Sequence, residues 1–312
     1  MTAEQVRKQP VAPYLQSPSR PLADREPRRR RIVWSPAGVI GVGLVFLLVL
    51  VAVLGPVVIS ADPGKQDLLD RLAEPYLFGG RANHLLGTDG LGRDLFARVV
   101  AGARVSLIVG VVATLVAGVI GVALGLIAGY MGGAVDAAVS FLVDVQLTLP
   151  FVVVGIAVVA VLGNSLNNVI LVLAITGWVA YARIVRLQTR SLRNAPFIDA
   201  ARAIGVGPGR VIWRHMLPNI AGPIIVIASQ QVAAMILYEA ALSYLGLGVP
   251  SSRITWGGMI ADGRQTMLTA WWVSTIPGLA IALTVLGFNL LGDWLRDRFD
   301  PVTRSRRSWA RF

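Results

Sequence analysis

Apolar residues in this chain come in long uninterrupted blocks separated by polar stretches. Six blocks stand out, at 37–59, 105–130, 135–162, 166–185, 220–244 and 271–291. Each reaches the roughly 20 residues that a helix needs to cross the hydrocarbon core of a bilayer. Lipid offers no partner for backbone N–H and C=O groups, so a span of this kind must be helical. The pattern predicts an all-α integral membrane protein with six transmembrane helices.

Charge orients them. The chain carries 29 Lys and Arg against 17 Asp and Glu, a formal +12. Residues 1–36 hold eight of the basic residues, 183–219 seven and 294–312 six, so 21 of the 29 fall on one side of the predicted membrane. The segments 60–104 and 245–270 hold the other eight, nearly balanced by seven acids. Short cytoplasmic segments collect Lys and Arg, which places both termini and the 183–219 loop in the cytoplasm. The positive charge is thereby explained without a nucleic-acid partner.

Candidate chemistry is sparse. The chain has no cysteine, hence no disulfide, and its two histidines, His84 and His215, fall on opposite predicted sides, so they cannot share a metal. Lysine occurs only at Lys8 and Lys65, neither in a Gly-rich phosphate-cradling context. No catalytic residue, cofactor site or metal site is expected in this chain, and any energy from a nucleotide must arrive through another one.

The segment 1–36, rich in Pro and Arg, reads as a disordered cytoplasmic tail whose run Arg28–Arg31 fixes topology and touches anionic lipid. The apolar run that follows is too long for a cleaved leader. Residues 37–104 comprise the first span and an ordered external lobe, broken by Pro63, Gly64, Pro75, Gly79, Gly80 and Gly87. At the end of this lobe Asp94, Phe96, Arg98 and Val99 have helical spacing, which predicts an amphipathic helix lying against the membrane. A core of five spans occupies 105–293, and 294–312 forms a cytoplasmic tail.

Small residues in the second span, notably Gly121 and Gly125, predict close helix packing. The polar residues Asp144 and Gln146 in the third span, and Gln230 and Glu239 in the fifth, are costly against lipid and must face protein or water. Two readings are open for them: lining of a translocation pathway, or hydrogen bonding within the packed interior.

The loop DAARAIGVGPGRVIWRHMLPN, from Asp199 to Asn219, is too structured for a tether. Asp199 favours an early helical turn, Ala200, Ala201 and Ala203 are strong helix formers, Gly205 to Gly209 supply a bend, and a second helix from Arg210 is expected to stop at Pro218, where the chain turns into the fifth span. One reading is a docking element with small residues at its face and Arg202, Arg210 and Arg214 at its edges. The other is an interfacial helix pair, with Phe197, Ile204, Val211, Ile212 and Trp213 dipped in lipid.

The spacing Asp199-Ala-Ala, Gly205, Leu217-Pro218 resembles the EAA loop of permease subunits of bacterial ABC importers. The stretches HLLGTDGLGRDLFARVVAGARVSL, LSYLGLGVPSSRITWGGMI and GDWLRDRFDP resemble the peptide-type members, the C subunits of dipeptide and oligopeptide importers. Asp199 stands where the general pattern has Glu, and His215 where it has Ile, although His is usual in the peptide subgroup.

The resemblance implies a six-helix type I permease in a bacterial inner membrane, paired with a homologous permease subunit. Two ATPase subunits would bind ATP and Mg and dock on the loop, and an external binding protein would deliver the cargo. It also implies coupling roles for Asp199, Ala200, Ala201, Arg202, Gly205 and Leu217. Peptide is the implied cargo, and the family also carries nickel, haem and glutathione. An ion-coupled carrier using Asp144 and Glu239 and a non-transporting scaffold are the rival classes.

Overall fold

The computed structural model describes residues 35–59, 61–80, 82–250 and 252–299. The expected N-terminal tail, up to residue 34, and the last residues of the expected C-terminal tail lie outside them. Among the described residues the regular structure is helical, and five helices are long and apolar enough to span a membrane, or six if a bent pair forms one span.

The first span, α1 (Pro36–Val58), starts where the Ser35 hydroxyl accepts a bond from the Gly38 N–H, with Pro36 in the first turn. The second, α2 (Leu95–Met131), is a single helix of 37 residues capped by the Asp94 carboxylate. The segment expected to lie flat on the membrane is therefore the first three turns of this span. Arg98 is buried there instead of facing headgroups, because Asp89 and Asp262, from two segments far apart in sequence, converge on it.

The third block departs most from expectation. It forms α3 (Gly133–Thr148) and α4 (Phe151–Leu162), bent by 89° at Leu149 and Pro150. Leu149, the residue before proline, is extended at φ −90° and ψ 116°, as the clash with the proline ring requires. Helix α5 (Leu166–Arg193) follows and is separated by two residues from α6 (Pro196–Ala203).

After α6, the short α7 (Pro208–Arg210), a π-helical turn Val211–Met216 and α8 (Leu217–Tyr244) form one continuous run of 37 residues. The expected stop at Pro218 does not occur. Proline lacks an N–H and clashes with the carbonyl four residues back, and the widened turn relieves this: Leu217 bonds to Ile212, five residues earlier. The side-chain amide of Asn219 donates to the His215 carbonyl. A short helix, α9 (Trp256–Gly263), precedes the last span, α10 (Trp272–Phe299).

Helix α2 is the central post. Its Gly121, Gly125 and Gly129 lie against α5 so tightly that a Cβ on Gly125 would come within 2.8 Å of the Ala182 carbonyl oxygen and Val185 Cβ, and one on Gly129 within 2.7 Å of the Arg186 carbonyl oxygen. In lipid, where helix association rests on van der Waals contact, such small-residue seams hold helices together. On its opposite side α2 packs with α1, α8, α9 and α10 around Ala103, Ile236, Trp256, Met259, Val273 and Phe288.

The lobe between α1 and α2, expected to be external, is built on short 3₁₀ turns at Leu68–Asp70 and Tyr76–Phe78 and is locked by polar bonds. The buried Thr88 hydroxyl accepts from the Ala73 N–H at 2.8 Å, and Trp272 Nε1 donates to the Thr88 carbonyl at 3.2 Å. Asp89, also buried, pairs with Arg93 at 2.7 Å and Arg98 at 3.4 Å, and both arginines reach Asp262 at 3.2 Å. These pairs fasten the segment before α2 to the end of α9. His84 lies between Asp94, 2.9 Å away, and Asp70, 3.4 Å away.

Candidate docking site

The helix pair after α5 is formed by local signals that agree with one another. Pro196 occupies the first turn of α6, where its missing N–H costs nothing. The helix closes with Gly205 in the left-handed region at φ +81°, while the Val206 N–H bonds to the Ala201 carbonyl at 3.0 Å and the Gly205 N–H to Arg202 at 2.9 Å. This double bond pattern is a Schellman termination, which strongly favours glycine at that position.

The pair is seated on the body by one apolar layer. Ile198 from α6, Val211 and Met216 from the π-helical turn, and Ile220 from α8 are buried together with Leu126 of α2 and Val185 of α5. Val211 therefore belongs to the protein interior and not to a lipid-facing stripe. Ala201 is also buried, and Leu217 is partly so, packed against this layer. Of the six residues expected to take part in docking, these two support the pair from beneath.

The outer face carries the rest. Asp199, Ala200 and Gly205 are exposed and Arg202 is partly so. Ile204 is 81% exposed and Trp213 70%, with Phe197 exposed beside them. Arg202 pairs with Asp199 at 3.6 Å and its guanidinium lies 5.2 Å from the centre of the Tyr130 ring, which ties α6 to the end of α2. Arg210 and Arg214 are exposed. The result is an apolar ridge with basic edges, whose shape and charge suit an apolar groove with acidic margins.

A second tie lies just above. Arg186 on α5 forms a two-pronged ion pair with Asp136 in the first turn of α3, one prong at 2.8 Å, and Arg193 reaches the Met131 carbonyl at 3.4 Å. The turn between α2 and α3 uses Gly132 and Gly133, both at positive φ. These ties were not foreseen from the sequence, although an acid and an arginine at opposite ends of two loops on one membrane side are the signal that points to them.

The four candidate pathway residues do not converge. Asp144 is exposed on α3 and Gln146 half-buried beside it. Gln230 is half-buried against α10, where a Cβ on Gly292 would lie 3.2 Å from its Cγ. Glu239 is fully buried; one carboxylate oxygen accepts from the Ser243 hydroxyl at 2.7 Å, and the other has no hydrogen-bond partner among the described residues. Gly257 of α9 rests against Ala240 of α8, with 3.2 Å between a Cβ there and the Ala240 Cβ, so the surroundings of Glu239 are packed protein.

Residues 121–305 match the family described as the binding-protein-dependent transport system inner membrane component. A dipeptide transport system permease protein, DppC of Alkalihalophilus pseudofirmus, is 42% identical over 267 residues, 86% of each chain. A probable D,D-dipeptide transport system permease protein, DdpC of Escherichia coli, is 37% identical over 282 residues, 89% of this chain and 93% of that one. Among solved structures, a chain of the inward-facing MetNI methionine ABC transporter superposes with a TM-score of 0.54 at 20% identity, over 66% of this chain and 98% of that one. At that identity the likeness speaks for the fold, which is the type I permease architecture. The family match, the relatives and the fold thus agree that the chain belongs to the family of binding-protein-dependent transport system inner membrane components.

Proposed function

We propose that this chain is one of two membrane subunits of an ATP-driven importer for dipeptides and oligopeptides, and that its α6–α7 ridge docks into an ATPase subunit. The observation that carries the docking is the exposed ridge of Ile204 and Trp213 on a rigidly seated base. The relatives named as dipeptide permeases support the cargo. Both termini and the ridge lie on the cytoplasmic side, as the arginine distribution requires. ATP and Mg are bound and hydrolysed in the partner subunits, and an external binding protein delivers the peptide.

The ridge is suited to pass on movement. It joins α5 through two residues and α8 through an unbroken helix, so a displacement of a few ångströms at the ridge reaches two spans without slack. Closure of the ATPases draws the docked ridges together and favours one of two packings of the spans; hydrolysis releases it. Asp199, Ala200, Arg202 and Gly205 act at the docked face, and Ala201 and Leu217 hold it in place. Asp144, exposed on α3, and Gln146, half-buried two residues on, are pathway residues in this reading.

Gly205→Pro tests it, because proline can neither take φ +81° nor donate to the Arg202 carbonyl. The complex, reconstituted with its ATPases and binding protein, is expected to lose peptide-stimulated ATP hydrolysis and uptake while the chain still inserts. Undiminished uptake would remove the docking role.

A further inference from the structure

The external lobe carries an apolar surface that the transport cycle above does not use. The turn Tyr76–Phe78 holds three consecutive large apolar side chains outward, with Leu77 83% exposed and Phe78 61%. The segment leading into α10 does the same at Met267, Leu268 and Trp271, with Leu268 fully exposed. The two segments meet: the Phe78 ring stacks edge-on against Trp271 with centroids 5.3 Å apart. The run from Tyr76 to Gly80 is uncharged, and so is the run from Thr266 to Trp272.

Depth is set by the fold itself. Trp271 directly precedes the membrane span α10, whose first residue, Trp272, is buried and donates to the Thr88 carbonyl of the lobe at 3.2 Å. The lobe is therefore pinned onto the outer end of a span, and Phe78 is pinned to Trp271 at the same level. At the end of a span such a surface meets the headgroup layer, where aromatic side chains with exposed apolar bodies are favoured. We propose that the patch formed by Tyr76–Phe78, Leu268 and Trp271 is inserted in the outer leaflet of the bilayer and anchors the external lobe to it. A water-exposed patch of this kind would be an aggregation hazard, and burial in the leaflet removes it.

The absence of cysteine in the chain makes the test direct. Leu77→Cys and Leu268→Cys, each carrying a nitroxide, are placed in the assembled transporter in nanodiscs of phosphatidylcholine and phosphatidylglycerol. Lys65→Cys, exposed elsewhere on the lobe, serves as the aqueous reference. Both patch labels are expected to collide readily with oxygen and about tenfold less often with a nickel chelate than the reference label, since a polar chelate partitions poorly into the leaflet. Nickel collision rates equal to those at Lys65 would overturn the anchor. Equal rates that fall only when the binding protein is added would also overturn it and assign the patch to that protein. Because both substituted leucines are exposed, neither change removes a folding contact. The outcome does not depend on the cargo or on the docking of the ATPases.

Discussion

Truncating Ile204 to alanine should weaken attachment of the ATPase without touching the fold of the membrane subunit. The change deletes three carbon groups, each worth about 0.8 kcal/mol when buried. Ile204 is 81% exposed in the chain alone, so most of that sum, about 2 kcal/mol, is realised only when the ridge is covered by its partner. At 1.4 kcal/mol per tenfold this is roughly a 30-fold rise in the dissociation constant. The assay is titration of the purified ATPase onto the permease pair in nanodiscs, with thermal unfolding of the permease measured in parallel. Ile198→Ala, six residues earlier and fully buried, should do the reverse, lowering stability by about 2–5 kcal/mol through the cavity it leaves. A dissociation constant for Ile204→Ala within twofold of the parent, with unfolding unchanged, would refute the assignment of this face as the docking surface.

Gly125→Val should disrupt the α2–α5 seam, since even the first added carbon comes within 2.8 Å of backbone and of Val185; a lower unfolding temperature in detergent and loss of assembly are expected. Arg98→Ala should cost about 1.5–3 kcal/mol, the worth of hydrogen bonds to a buried charge, because it strips Asp89 of one of its two arginines. Asp262→Ala should cost under about 1 kcal/mol, its side chain being half-exposed, and equal effects in chemical unfolding would contradict this ranking. Gly205→Asn, with a residue that tolerates the left-handed region and open space around the added Cβ, should retain most uptake where Gly205→Pro loses it.

Much of this molecule was legible in the order of its elements. Length and composition of the apolar blocks marked the spans, because lipid imposes one rule on every crossing segment: enough apolar residues in a helix. Arginine counts gave an expected sidedness, which rests on charge alone. The bend at Gly205 was legible too, since a glycine following a short alanine-rich helix is a local signal, and its left-handed φ bears that out. The continuation through Pro218 was not, because relief of a proline by a widened turn depends on bonds five residues apart that no propensity records.

The candidate site shows the same division. That a short helix, a glycine bend and a second helical start lie within the Asp199–Asn219 stretch follows from alanine, glycine and proline positions alone, whereas the second helix runs on into α8 where a stop was expected. Which of its residues look outward does not follow: Ile198 and Ile204 are the same residue type six positions apart, yet one is buried against Leu126 of α2 and Val185 of α5 and the other stands exposed, because the covering side chains come from other helices, more than 70 residues away in sequence for α2. Likewise, Glu239 was an acid awaiting either a pathway or a partner, and its packing between α8 and α9 decided its surroundings. The sequence by itself determined what each segment must do in a membrane, since hydrophobic length and charge act locally. Only the tertiary structure decided which faces are covered, where the third span breaks into a right-angled pair, and which charges meet, since those depend on distances between segments far apart in the chain.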